Sequence, residues 1–513
     1  MIALPILWAL LLQSAPATGY SIAGTLVNSV TGEALAKARV SIVSAETPGV
    51  PGRVTRAMIT GPDGRFQFDG LPAGKYMLSA ERLGFVAQSY MERTLYQELA
   101  TGIAVGEGFS SDSLVFRLIP SSVIAGYITD VRGDPIVGLN VLAMRVAGAG
   151  AARHILQTVA SRTDDRGYYR IRSLATGRYV LAIYGDGGIT VKEADPALAY
   201  PITYFPGTID PFSAQPIVLE AGREVRCDTV VAAMAAATLH GEVAAAKPGS
   251  SLVTITAIGP YGSRFDMGRR TSTSTLGGFT FANLPPGRYA VHLWKGQGIG
   301  GYREVDVVAG DNQVSLGETP LASVTAKVQV HGGRAAGAVL VLRKVGSAEG
   351  DSKRLDADSL AAFASVAPGL YEVYVTNGQT MAMVSFTSRG AESSGSVVRV
   401  PESGAVELEI LADAAATEVR GHVYDGDQPQ AGVLAMLVPK TGWENTSTYR
   451  FDQSDSDGSF AWQGVPRGDY LLFAFEKGEL ADYLDAQLMR SLLPKGQPFT
   501  VGSSDPVRLS LTK

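Results

Sequence analysis

Cysteine is nearly missing: the 513 residues hold one, Cys227. No internal disulfide can form, and no cysteine-based zinc site can be built. Its setting, Val225-Arg226-Cys227-Asp228-Thr229-Val230-Val231, reads as a strand, so a small buried thiol is expected there. Histidine is scarce too, at five residues. Charged residues make up only 18% of a chain with formal net charge −5, and no block of Lys or Arg stands out. Nucleic-acid binding requires a concentrated positive face that displaces counterions, so no nucleic-acid partner is expected. Beyond the N-terminus no apolar run reaches the ~20 residues that cross a bilayer.

What is present is glycine, 59 of it, with 26 prolines and 46% apolar residues. That mixture suits short strands joined by tight turns and supplies several cores. At roughly 100–150 residues per domain, the length predicts four or five domains. Residues 1–12 are almost wholly apolar, interrupted by Pro5, and Ala15-Pro16-Ala17 follows. The run is too short to span a membrane, and an A-x-A site comes after it. Residues 1–17 are therefore expected to be a secretory signal peptide cut after Ala17, although no Lys or Arg precedes the run. No cysteine lies near that site to take a lipid anchor.

One motif recurs: a turn glycine, an alternating aromatic strand, a second turn, then Gly-x-Tyr. It reads Asp63-Gly64-Arg65-Phe66-Gln67-Phe68 with Gly74-Lys75-Tyr76-Met77-Leu78. Further copies are Gly167-Tyr168-Tyr169 with Gly177 and Tyr179, Gly278-Phe279-Thr280-Phe281 with Gly287 and Tyr289, and Gly458-Ser459-Phe460-Ala461-Trp462 with Gly468 and Tyr470. A degraded copy has Phe363 and Gly369-Leu370-Tyr371, with Ser359 in place of the turn glycine. Residues two apart in a strand share a face, so Phe66 and Phe68 point into one core. Upstream of each copy lies an opening strand centred on a small residue: Gly24, Gly126, Gly241, Ala326 and Gly421. A hairpin with one aromatic face needs a second sheet to cover it.

Ser21–Asn28, Thr31–Val40 and Asp63–Phe68 resemble the carboxypeptidase regulatory-like family. The resemblance implies an all-β chain of about five tandem Ig-like, prealbumin-like β-sandwich domains. The expected divisions are 20–119, 120–234 with a long insertion, 235–320, a degenerate 321–413, and 414–513. Links such as Ile119–Ser122 are short, so the sandwiches are expected to line up as semi-rigid beads. The resemblance also implies a multi-module exported bacterial protein.

Catalytic parts do not assemble. A zinc carboxypeptidase needs a His-x-x-Glu pair, and His154, His240, His292, His331 and His422 all lack Glu three residues on. There is no His-Glu-x-x-His, no Gly-x-Ser-x-Gly and no phosphate loop. Asp455-Ser456-Asp457-Gly458 starts like a calcium loop, but Gly464 stands where the twelfth-position acid belongs. Lys327 sits where an isopeptide lysine would, without an asparagine in the closing strand. No catalytic, cofactor-binding or metal residues and no cofactor are therefore expected.

Sugar rings stack on exposed flat aromatics. Tyr200, Tyr204 and Phe205 in the long insertion, and Trp443 in a loop-like stretch, are the candidate ligand-facing residues. The alternative is that they fold back onto their own module. Trp462 aligns with Phe68 and is assigned to the core; Trp294, which continues an alternating strand, is assigned there too. Short helices are expected within Ser89–Ala100 and Leu480–Leu493. The expected function is a non-catalytic exported binding or scaffold protein of the cell envelope or medium, with a glycan or another envelope protein as partner. An accessory part of a secreted peptidase system and a structural adhesin or stalk are the alternatives.

Overall fold

A computed structural model describes residues 19–512 apart from 46–53, 94–98, 110, 148–153, 186–189, 192–196, 244–250, 261–262, 296–297, 317–320, 332–333, 345–349, 377–380, 414–416, 442, 444–447, 478–482, 484–485 and 502–505. The expected signal peptide, 1–17, lies outside the described residues. The chain is all-β and consists of five tandem two-layer sandwiches. No helix among the described residues is long and apolar enough to cross a membrane.

Each sandwich contains the same central strand trio. In the first, Tyr20–Asn28 runs antiparallel to Arg65–Leu71 and parallel to Leu114–Leu118. Ser122–Thr129 sits likewise between Tyr168–Leu174 and Glu224–Arg226, and Ala237–Val243 between Gly278–Leu284 and Gly310–Leu316. Ala322–His331 lies between Leu360–Val366 and Ala405–Asp413, and Thr417–Asp425 between Ser459–Val465 and Val507–Ser510.

The register explains the small residue at the centre of each opening strand. Gly24 lies opposite Phe66, Gly126 opposite Tyr169, Gly241 opposite Phe279 and Gly421 opposite Phe460. A Cβ on Gly24 would stand 2.2 Å from the Leu114 carbonyl oxygen, and one on Gly241 2.0 Å from the Phe279 ring. The neighbours already fill the space a side chain would need. In the fourth sandwich Ala326 faces Ala361. The ring that crowds Gly241 and Gly421 has no counterpart there, whereas Gly24 and Gly126 are crowded by the backbone at Leu114 and Cys227.

Two further positions recur for physical reasons. Gly64, Gly167, Gly277 and Gly458 turn with φ between +71° and +87°, and Ser359 adopts φ +63° at the same place. The hydroxyls of Tyr76, Tyr179, Tyr289 and Tyr470 donate to the carbonyl oxygens of Pro72, Ala175, Pro285 and Pro466, four residues back, at 2.6–2.9 Å. Each bond ties a core ring to the preceding turn, which phenylalanine could not do.

The second sheet of the third sandwich has the order Arg264–Ser272, Leu252–Ile258, Gly287–Lys295, Gly298–Val307. That of the fifth has Arg450–Gln453, Leu434–Pro439, Gly468–Phe475, Gln497–Val501. The first, fourth and fifth sandwiches each have a core of their own. The second has one as well, and its outer sheet face, with Met144, Val180 and Ala182, merges with the core of the third. There the Tyr184 and Phe265 rings meet edge-on at 5.1 Å. The link after the first sandwich is pinned: Val86 N–H donates to Ile119 O at 2.9 Å and Ser121 N–H to Gly84 O at 3.0 Å.

Two expectations are corrected. The sandwiches do not form an open row of beads, because the first docks on the fifth. Of the two expected helices, one forms at Ala486–Leu492. The described part of Ser89–Ala100 holds the end of strand Gln88–Ser89 followed by turns instead. In that described part the backbone is engaged by bonds such as Tyr90 N–H to Leu78 O at 2.8 Å, while residues 94–98 of the expected helix lie outside the described residues.

Candidate functional site

The aromatics expected to face a ligand turn inward. Tyr200 and Tyr204 are 8% and 3% exposed. Tyr200 joins the core of the second sandwich, with half-buried Phe205 packed against it. Tyr204 pairs in register with Ala182 and joins the apolar contact with the third sandwich. Trp443 is half-buried against the outer apolar cluster of the fifth sandwich, with the Arg490 guanidinium 5.7 Å from its ring. Burying such a ring stabilises by about 2 kcal/mol, and these segments have an apolar sheet face within reach.

Asp457 accepts from Ser459 N–H at 3.0 Å, and exposed Lys327 faces away from the core. Cys227 is buried, its thiol pushed up to about 11 by desolvation and the nearby Asp228. Among the described residues no group of three or more His, Cys, Asp or Glu side chains could hold a metal ion.

Two places where sandwiches meet remain. The first is the junction of the first and fifth. Gln453 Nε2 donates to Met91 O at 2.6 Å and to Thr101 Oγ1 at 2.8 Å. Asp455 accepts from Gly102 N–H at 2.9 Å and pairs with Lys75, whose ammonium also reaches Ser459 Oγ at 2.8 Å. Ser456 N–H donates to Gly102 O, and Ala104 N–H to Ser456 Oγ. Arg93 donates to the carbonyls of Gly432 and Phe475. Beside this network Leu99 enters an apolar cluster with Leu434, Met436, Val438, Phe473, Phe475 and Met489 of the fifth sandwich.

The second is a cleft of about 610 Å³ between the third and fourth sandwiches. One wall is the outer face of the third sandwich's second sheet, with Thr254, Thr256, Arg264, His292, Trp294 and Tyr302. The other comprises Leu342, Lys344, Asp351 and the turn to Tyr371 of the fourth. Trp294 Nε1 donates to Thr254 Oγ1 at 2.9 Å, which fixes the indole. His292 and Tyr302 rings meet edge-on at 5.1 Å, and Arg264 Nη2 donates to Tyr302 Oη at 3.2 Å. Burial first, then the charges of Arg264 and Lys344, hold His292 well below its ordinary value, at about 4. Assigning Trp294 to the core was therefore a misplacement. Tyr289, Val291 and Leu293 are the buried set, and period-two alternation puts His292 and Trp294 on the opposite face. Counting from Tyr289 in the sequence would have found them.

Tandem β-sandwiches are thus the class the fold defines. Residues 21–112, within the first sandwich, match the carboxypeptidase regulatory-like domain family. Residues 270–315 of the third match domain II of polysaccharide lyase family 4. No curated protein matches the chain. Among solved structures, the Bacillus anthracis TIE protein is similar at 10% identity, covering 78% of this chain and 76% of that one, with TM-score 0.19. A streptococcal ancillary pilin aligns at 12% identity over 58% of this chain and 98% of its own, TM-score 0.21. The shaft pilin SpaA of Lactobacillus rhamnosus GG aligns at 9% over 42% and 98%, TM-score 0.22.

Proposed function

We propose that the protein is an exported, non-catalytic binding scaffold of the cell envelope or extracellular space. The observation that carries this reading is the junction of the first and fifth sandwiches. The acids, amides and hydroxyls gathered there are occupied in joining two sandwiches some 350 residues apart in sequence, as in Gln453 to Thr101. Among the described residues they hold the two sandwiches together. A saccharide is the ligand class, supported by the polysaccharide-lyase-domain match over residues 270–315 and by the partly exposed Trp294. The carboxypeptidase regulatory-like match over residues 21–112 favours a second reading, an accessory component of a secreted peptidase system.

The purified chain, incubated with zinc and a peptide mixture, is expected to release no C-terminal residues. Zinc-dependent release would overturn the non-catalytic reading. Cell fractionation with N-terminal sequencing tests export: the mature chain is expected outside the cytoplasm and to begin after Ala17.

A further inference from the structure

We infer that the cleft between the third and fourth sandwiches binds an acidic saccharide, with Trp294 as the stacking platform and Arg264, Arg270 and Lys344 as partners for its carboxylates. This rests on the reading of the protein as a saccharide-binding scaffold and assigns that scaffold a site and a ligand charge.

The charge argument is local. The chain as a whole carries −5, yet among the described residues four basic ones line this cleft against two acids, Asp266 and Asp351. Those acids are partly engaged by backbone: Asp266 accepts from Gly268 N–H and Asp351 from Ser352 N–H, both at 2.8 Å. Arg264 shares Glu304 with Arg288, and its Nη1 is buried without any hydrogen-bond partner. Exposed Arg270 makes no ion pair among the described residues. That Nη1 atom is closed off from solvent, so the cation an acceptor from outside reaches directly is the exposed Arg270. A carboxylate binds such a cation by charge-assisted bonds that are stronger than neutral ones.

The shape argument selects a sugar over a simple anion. A simple anion needs no flat platform, whereas the indole here is held in place by Thr254 and forms one wall of the cleft. A sugar ring offers a C–H face to such an indole and hydroxyls to residues such as Thr256. A volume near 610 Å³ lies within the range of pockets that hold drug-sized ligands, here a di- or trisaccharide.

The test uses the full chain and one oligosaccharide in two charge states: galacturonic acid trimer and its methyl ester, titrated calorimetrically. The acid is expected to bind at least about tenfold more tightly than the ester, and to weaken as salt screens the charges. Trp294→Ala and Arg270→Gln are each expected to weaken binding about tenfold or more, while Trp443→Ala leaves it unchanged. Arg270 is exposed, so its variant keeps the test valid if Trp294→Ala fails to fold. Equal binding of acid and ester would overturn the charge assignment. Binding of neither, or binding indifferent to both cleft variants, would overturn the site while leaving the non-catalytic reading intact. Cleavage of the bound trimer would do the reverse.

Discussion

The outer faces of two equivalent sheets met different fates. In the fifth sandwich the second sheet carries apolar residues on both sides: Leu434, Met436 and Val438 face outward, while Ala435 and Leu437 face the core. Its outer face is covered by the helix Ala486–Leu492 and by Leu99 of the first sandwich. In the third sandwich the equivalent outer face carries Thr254, Thr256, Arg264, His292 and Trp294, and its cover leaves a cleft. An apolar face is driven to full closure by the area it removes from water. A face of hydroxyls, guanidinium groups and one indole gains little from dry contact, because each polar group buried there must find a partner. The sheet geometry is shared; the side chains at alternate positions decide whether a face becomes an internal joint or a place for something else to bind.

Breaking the closed side should have the largest effect. Leu99→Asp puts a carboxylate among the apolar side chains of Met436, Phe473 and Met489. We expect a loss of about 3 kcal/mol or more and detachment of the first sandwich from the fifth. Small-angle scattering should then show a longer particle with each sandwich still folded. An unchanged profile would mean the joint is not held by its apolar part. The Lys75–Asp455 pair comes next. It is partly exposed on the lysine side, so a double-mutant cycle with Lys75→Met and Asp455→Asn should give a coupling of about 1 kcal/mol, read by chemical denaturation.

A pH effect distinguishes the same joint from the cleft. Desolvation pushes Asp452, beside the junction, up to about 6, partly countered by the Ala461 N–H it accepts at 2.7 Å. Its folded-state value lies above the unfolded one near 4, so its contribution to stability is complete below about pH 4 and is lost as pH rises through 6. Asp452→Asn should therefore raise stability at pH 8 by about 1 kcal/mol, allowing for partial exposure, and flatten the loss between pH 4 and 7. Melting temperatures across that range check it. A variant as pH-sensitive as the parent would show that another group is responsible.

How much of this was legible in the sequence follows the same division. The strand trio, the turn glycines and the buried aromatic pairs were readable because period-two alternation and Gly-x-Tyr are local signals. Ser359 at φ +63° shows the turn pattern holding where the residue type changed. The docking of the first sandwich on the fifth was not readable as a pairing, since Leu99 and Met489 are linked only through the fold. Yet half its signature was in view. Leu434-Ala435-Met436-Leu437-Val438 is apolar without alternation, as is Val180-Leu181-Ala182-Ile183-Tyr184, and a strand of that kind is buried on both faces. For the loop aromatics the sequence left exposure and folding back both open, and Tyr204 took the second course, returning as a strand beside Ala182.

The smallest expected effect sharpens the cleft side. If Trp294 belongs to a binding face, its removal should leave the fold nearly untouched, unlike the removal of an interior tryptophan. Trp294→Ala loses the hydrogen bond to Thr254 and some half-buried ring surface, so a cost of at most about 1 kcal/mol is expected. Trp462→Ala, by contrast, empties a site that is 1% exposed and should cost about 3–5 kcal/mol. Parallel denaturation of the two variants gives the ratio directly. Comparable losses would mean that the cleft wall is part of the packing between the third and fourth sandwiches, and that its polar lining is an accident of that packing. A small loss at Trp294, with the full loss at Trp462, places the indole where its only remaining use is contact with a molecule from outside the chain.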